Sequence, residues 1–454
     1  MDEIKSVSLN TLPRRLLLLA WMALVLSGAS CAVRWYMGNT LAEYLPGDSV
    51  ADALKVAHMA LRLAPSDPET HLTLAALETR NLNADEVRAA NLHYEEAVRL
   101  SPLDYRLWLE LGLARERASD VAKGEQALRR AVELAPAFAS PRWFLGNLLL
   151  RAGRTDEAFN ELREACGRDE SLRAQTIDLA SHVYGDDTEA LLKAAGDSSA
   201  ARARLASYLS KRGKSVEAMR LWSNLNAAEK QEQRETGEAL MKSMLDAKQY
   251  LNALELERGL AKADANIPNT GEVRNAGFES DVALGSAHPF EWHIKNAAQA
   301  RIDIDAAQKH SGGHSLRVVF NARTNADFSQ LVPVEPATSY RFECFARTAG
   351  LQSVSMPLIE IVDETDGRVL AASAPLPAGN HEWQPLSILN FKTGPGTEAI
   401  IIRTNREPCT AGAGCPILGT VWYDDFRLQR VSPSDVTGAQ GGPRKSVVVD
   451  KGAL

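Results

Sequence analysis

The sequence predicts a multidomain chain, α then β: an N-terminal membrane helix, an α-solenoid of paired helices and an antiparallel β-sandwich. Three observations predict it. An uncharged apolar run of eighteen residues, Leu16 to Val33, lies between Arg14-Arg15 and Arg34. Small and large residues then recur at a fixed step of thirty-four. Beyond Gly271 the pattern changes to short alternating runs punctuated by Gly, Pro and Ser, as strands and turns require.

The apolar run comes first. Eighteen residues at the helical rise span roughly 27 Å, enough to cross the hydrocarbon core of a bilayer. Lys5, Arg14 and Arg15 precede it and only Arg34 follows closely. The cytoplasmic preference of basic flanks therefore keeps residues 1–15 inside, with 16–36 spanning and the bulk of the chain outside. Trp35 and Tyr36 fall where interfacial aromatics anchor a span. A single-pass protein of a bacterial inner membrane is the expectation. A cleaved signal peptide is the alternative, since Gly28-Ala-Ser-Cys31-Ala32 is a run of small residues, and Cys31 raises lipidation as a third reading.

The step of thirty-four follows. Trp108, Leu111 and Gly112 are succeeded by Ala131 and Pro136; one step on lie Leu145, Gly146 and Ala165, and one step back Ala97 and Pro102. Gly and Ala let two helices approach, Tyr94 and Leu128 fill the space between them, and Pro ends the second helix because it lacks an N–H to donate. This register resembles the tetratricopeptide repeat, a helix–turn–helix unit. Ala51 to Pro65 reads as the second helix of an atypical first unit, with Ala53, Ala57 and Ala60 at the small positions. The loop Asn81-Leu-Asn-Ala-Asp85 lengthens the next unit by three residues. Beyond Asp169 the period fades, but apolar residues at helical spacing persist through Leu205, Trp222, Leu240 and Leu254. The expected solenoid runs over residues 48–264. Such arrays present a curved surface to segments of other proteins; a spacer without a ligand is the plainer reading. Arg115, Arg117, Arg129 and Arg130 read as solvated helix faces.

The alternating runs complete the chain. They are Arg301–Ile304, Ser315–Phe320, Ser339–Phe345, Pro357–Ile361, Ile400–Arg403 and Val421–Leu428. Asn275-Ala-Gly-Phe-Glu279, Trp292, the Gly312-Gly-His-Ser-Leu-Arg-Val block, Val334 to Tyr340, Trp383 and Trp422-Tyr-Asp-Asp-Phe426 follow one another in an order that resembles jelly-roll carbohydrate-binding modules. The resemblance covers residues 272–430. It implies a structural calcium held by Glu279 and Asp424, and glycan contact through exposed aromatics, for which Trp292, Trp383 and Trp422 are the candidates. In that family such positions also bury core aromatics. Alternation along the last strand places Asp424 on one face with Trp422, Phe426 and Leu428, and Asp425 on the other with Tyr423 and Arg427. A carboxylate on a core face needs a cation or strong donors, so calcium or a set of loop amides is expected there.

Other chemistry is sparse. The net charge of −7 carries no clustered basic face of the kind nucleic acid requires. The five cysteines are too few for a disulfide scaffold, but Cys409 and Cys415 flank a short loop that a local disulfide could close. No P-loop, dinucleotide fingerprint, His-Glu-x-x-His or Gly-x-Ser-x-Gly occurs. His310 and His314 lie in a Gly-Gly turn, and Glu360, Asp363 and Glu364 are carboxylates at no defined separation. Residues 431–454 read as a disordered tail. The expectation is not an enzyme. It is a membrane-anchored adaptor whose architecture resembles accessory proteins of cell-surface or exopolysaccharide assembly, binding protein partners through the solenoid and polysaccharide through the sandwich. A scaffold without sugar binding and a secreted glycan-degrading enzyme are the rival classes.

Overall fold

The computed structural model describes residues 12–46, 49–81, 84–261, 267–280, 282, 288–295, 300–321, 326–409 and 415–431. The expected tail and the residues before Leu12 lie outside the described residues. The chain divides into two compact units, Met1–Leu205 and Ala206–Leu454.

The first unit opens with α1 (Leu12–Glu43), an unbroken helix of 32 residues whose apolar stretch is exposed. It is long and apolar enough to cross a membrane, a test that a signal sequence also passes. Its C-terminal end packs on α2 (Val50–Leu63): Gly38 and Ala42 are buried, and Arg34 donates to the Arg62 carbonyl at 3.3 Å. A Cβ on Gly38 would sit 2.7 Å from Ala64 Cβ, so the crossing depends on glycine. The atypical first unit thus takes its first helix from the end of the apolar one. Ala53, Ala57 and Ala60 are buried in it as their spacing predicts.

Three antiparallel pairs follow: α3 (Pro68–Glu78) with α4 (Ala84–Leu100), α5 (Tyr105–Arg117) with α6 (Val121–Leu134), and α7 (Ala139–Arg151) with α8 (Thr155–Cys166). They repeat in atomic detail. A Cβ on Gly112 would meet Leu128 Cγ at 2.6 Å, and one on Gly146 would meet Leu162 Cγ at 2.7 Å. Both contacts recur at the step of thirty-four and make the pairs tetratricopeptide-type helical hairpins. Asp67 and Asp104 cap α3 and α5 through the amides of Thr70 and Arg106. Arg117 and Arg129 are exposed as their spacing suggests, while Arg115 is half-buried and reaches Glu95 at 3.0 Å; Arg129 and Arg154 bridge Glu125 and Glu157 between neighbouring pairs. The period then gives way to α9 (Arg173–Tyr184), the short α10 (Thr188–Ala195) and α11 (Ser199–Lys211), within which the division at Leu205 falls.

In the second unit, α12 (Ser215–Ser223), α13 (Ala227–Glu232), α14 (Arg234–Asp246) and α15 (Tyr250–Leu260) precede ten strands. β1 (His293–Lys295), β4 (Asp327–Pro333), β9 (Ala399–Arg406), β6 (Pro357–Asp363) and β7 (Val369–Ala372) form one antiparallel sheet in that order. β2 (Ala300–Asp305), β3 (Ser315–Phe320), β10 (Ile417–Arg430), β5 (Ser339–Ser353) and β8 (Gly379–Lys392) form the other. Their apolar faces enclose one core, from Leu316, Val318 and Val421 on one sheet to Phe328, Ile359 and Ile402 on the other. The helices are tied to the sandwich: buried Glu257 receives Arg274 at 2.7 Å and His288 at 3.2 Å, and Lys248 Nζ donates to the Glu364 carbonyl at 2.9 Å.

Candidate functional site

The outer face of the second sheet gathers the aromatic and planar polar side chains. Cross-strand register sets Trp422 of β10 opposite Arg317 of β3 and Arg347 of β5. Trp422 is half-buried; its indole N–H donates to Asp305 Oδ2 at 2.8 Å and the Arg347 guanidinium lies 5.9 Å from its ring centroid. Arg347 also donates to Gln308 Oε1, and to Glu382 Oε1 at 3.3 Å. Two residues along β5, Phe345 carries the His310 ring stacked at 3.8 Å and 12°, and Trp383 of β8 lies 5.7 Å from that imidazole. Trp422, Arg347, Phe345 with His310, and Trp383 therefore form a continuous row across three strands.

The row is braced from below. Asp305 is 8% exposed, and burial alone would raise its pKa. The Trp422 indole, the Ala307 and Gln308 amides and Arg317 outweigh that cost and hold the carboxyl below its ordinary range. Arg317 is held in turn by Asp303 at 2.8 Å. Asp305, Gln308, Phe345 and Arg347 escaped the sequence reading as site residues, and His310 entered it only beside His314 in the Gly-Gly turn. Alternation along Ser339–Phe345, extended two residues, would have put Phe345 and Arg347 on the face opposite Phe342, Cys344 and Ala346.

The last strand corrects the expected alternation. Val421 and Tyr423 face the core, while Trp422 and Asp424 face outward. A bulge then intervenes between Asp424 and Arg427, where Asp425 adopts φ +49°, and it returns Phe426 and Leu428 to the core. Asp424 is fully buried all the same, beneath the loop joining β2 to β3. Its carboxylate accepts the amides of His310 at 2.8 Å, Ser311 at 3.2 Å and Asp425 at 2.7 Å. Desolvation prevails over these amides and raises its pKa.

Glu279 fastens the other end of that loop. It accepts the amides of Gly313 at 2.8 Å and His314 at 3.3 Å, and these, Gly313 first, draw its pKa down. Gly312 adopts φ +59°, a left-handed conformation that favours glycine, and a side chain there would also push Glu279 aside. Both carboxylates border Gly277, whose Cβ would lie 3.5 Å from Asp424 Oδ1 and 3.8 Å from Glu279 Cγ. Main-chain amides reach both oxygens of each carboxylate. Among the described residues no three His, Cys, Asp or Glu side chains converge as a metal site. The arrangement fits an amide cage rather than a cation shell.

The remaining candidates separate cleanly. Trp292 is core, 1% exposed, packed on Phe278, Phe328 and Phe426 with its N–H given to the Asn275 carbonyl, so it offers no platform. Cys409 and Cys415 are disulfide-bonded, with Cα atoms 5.9 Å apart. His310 and His314 do not meet; they turn to Asp425 at 2.6 Å and Glu279 at 3.5 Å. Glu360 pairs with Arg403 at 2.8 Å, buried Asp363 accepts the Thr397 hydroxyl, and Glu364 lies 3.5 Å from Lys248. In the first unit, a cleft of about 460 Å³ opens where the helical period fails, lined by Phe159 and Arg163 of α8, Tyr184 of α9 and Lys193 of α10.

No family model and no curated protein matches the chain. Solved structures do. A family 4 carbohydrate-binding module is similar at 14% identity over 35% of this chain and 99% of its own, with TM-score 0.28. MamA from Desulfovibrio magneticus RS-1 is similar at 24% identity over 31% and 76%, with TM-score 0.27. YrrB, a TPR protein with an unusual peptide-binding site, is similar at 16% identity over 46% and 84%, with TM-score 0.24. At these values none bears on what the chain does.

Proposed function

We propose that this chain is a non-catalytic adaptor, anchored in a membrane by α1, which contacts glycan through the outer face of the second sheet and protein partners through the helical repeats. The row Trp422, Arg347, Phe345 with His310, and Trp383 is the observation that supports it. Sugars stack their C–H faces on aromatic rings and present hydroxyls to planar donors and acceptors, and this face supplies both, prearranged by Asp305 and Gln308. Preorganisation lowers the ordering cost of binding. The cleft between α8, α9 and α10 offers apolar walls with charged rims to a segment of a partner protein. Placement at a bacterial inner membrane, with the repeats outside, follows the flanking arginines of α1. Service in cell-surface or exopolysaccharide assembly belongs to the same reading and rests on the combination of parts.

The test is retention of the full chain, in detergent, on gels cast with bacterial polysaccharides. Retention on one polymer class, lost in Trp383→Ala and Arg347→Ala with thermal stability kept, supports the glycan role. No retention on any polymer by the folded chain overturns it. A second reading, a protein scaffold without sugar binding, is favoured by the internal pairing of Arg347 with Gln308 and Glu382, which already satisfies much of the face.

A further inference from the structure

The three helix pairs of the first unit place one residue of the first helix against one of the second, and each pair fills that position differently. In the second pair Trp108 sends its indole N–H to the Pro102 carbonyl, six residues back, at 2.9 Å. In the third, Arg142 takes the place of Trp108 and meets Glu161 at 2.7 Å. In the first, His71 occupies the Trp108 position: its Nε2 lies 3.1 Å from the Pro65 carbonyl, again six residues back. Opposite it His93 stands where the second pair has Ala127 and the third Glu161, and the two Nδ1 atoms are 3.1 Å apart. Packing or an ion pair serves in the other hairpins, so the fold does not call for two imidazoles.

Their ring nitrogens are assigned by their neighbours. A carbonyl only accepts, so His71 carries its proton on Nε2, as the indole does in Trp108, and its Nδ1 presents a lone pair. His93 Nε2 lies 3.9 Å from Glu78, outside hydrogen-bond reach, so its proton is free to sit on either nitrogen. The two Nδ1 atoms face one another across 3.1 Å: in the metal-free pair the His93 N–H donates to the His71 lone pair, and a cation that displaces that proton takes both nitrogens. An imidazole whose far nitrogen is held by a carbonyl, as His71 is by Pro65, is a usual setting of metal-bound histidine. Two ligands in cis on an ion with bonds of about 2.0–2.1 Å stand about 2.9–3.4 Å apart, which brackets the observed separation.

We propose that His71 and His93 form a two-imidazole site for a divalent transition ion of the zinc, nickel or copper type, with water in its other positions. His71 is nearly buried and fixed by Pro65, while the His93 side chain is 24% exposed, leaving a route for the ion and its water. The rings meet almost end to end, so the ion enters beside the line of the two nitrogens as His93 swings outward. Two imidazoles without a third protein ligand suit nickel or copper at least as well as zinc.

The full chain in detergent, freed of metal by chelator, should be titrated calorimetrically with nickel, copper and zinc chlorides in turn. One equivalent of at least one ion is expected to bind and to raise the melting temperature. His93→Ala and the double variant His71→Trp/His93→Ala copy the residues of the second pair and so keep the hairpin; both should weaken binding at least tenfold with unchanged circular dichroism. Failure of all three ions to bind the folded chain, or binding that His93→Ala leaves untouched, overturns the proposal and leaves a shared proton between the rings.

Discussion

The helix pairs and the last strand of the sandwich place their side chains by different logic. In the pairs, one register repeats three times, so Gly112 and Gly146 make the same contact and His71, Trp108 and Arg142 stand on the same spot. In β10 a single bulged residue, Asp425, reverses the facing of everything beyond it. A periodic array averages local irregularity over several units; a lone strand does not. Position in the array can therefore be read from spacing, whereas position in the sheet depends on partners more than a hundred residues away, such as the His310 amide that holds Asp424.

That contrast breaks most visibly at the sandwich core. Trp292→Ala should cost about 3–5 kcal/mol, the range for emptying a buried aromatic site. Thermal melts followed by near-UV dichroism should lose the sandwich signal while the helical signal of the first unit persists; an unchanged melt would mean that Trp292 is not core. Gly112→Val is the matching insult to the array. Its Cβ would fall 2.6 Å from Leu128 Cγ, and overpacking of this kind costs roughly 1–3 kcal/mol. Gly146→Val should give a like value in denaturant titrations, because the two sites are equivalent, and a large disparity would deny that equivalence.

The bulge is tested at Asp424. Replacement by Ala strands three amides, at about 1–3 kcal/mol for buried polar groups left unsatisfied, whereas truncation of a residue on an ordinary exposed face would be nearly silent. If main-chain amides are the natural compensation, saturating calcium should leave the wild-type melting temperature within about 1 °C, where 1 kcal/mol moves it by about 2–4 °C. A larger rise would mean that the carboxylates turn to the ion instead.

Acid gives the smallest and most selective effect. Asp305 is held below its ordinary pKa, so its contribution is present above the unfolded value, near about 3.9, and is lost as pH falls through the folded one. Asp424 is held above its ordinary value and has the opposite sign, its cost being relieved as pH falls through that raised value. Melts of Asp305→Asn should therefore show a shallower loss of stability below about pH 4 than wild type, and those of Asp424→Asn a steeper one above about pH 4, between that value and the raised pKa.

Much of this was legible in the sequence. The thirty-four-residue step located the hairpins, and Ser315–Phe320 is the full extent of β3. β8 was missed because Pro385 interrupts it, tolerated there only because the strand lies at the edge of its sheet. β4 was missed because buried Gln330 breaks its apolar alternation, the side chain being spent on both main-chain groups of Arg274. Of the three tryptophans, spacing could not separate Trp292 from Trp383 and Trp422, since the difference arises from the pairing of distant strands. The row itself was invisible for the same reason: Asp305, His310, Phe345, Arg347 and Trp383 come from four separate segments.

The most direct measurement is hydroxyl-radical footprinting of the full chain with and without a polysaccharide that retains it. The account expects protection of Trp383, Trp422 and Phe345, with Trp292 inert in both states. Protection elsewhere on the sandwich, with these three as reactive as before, would contradict it.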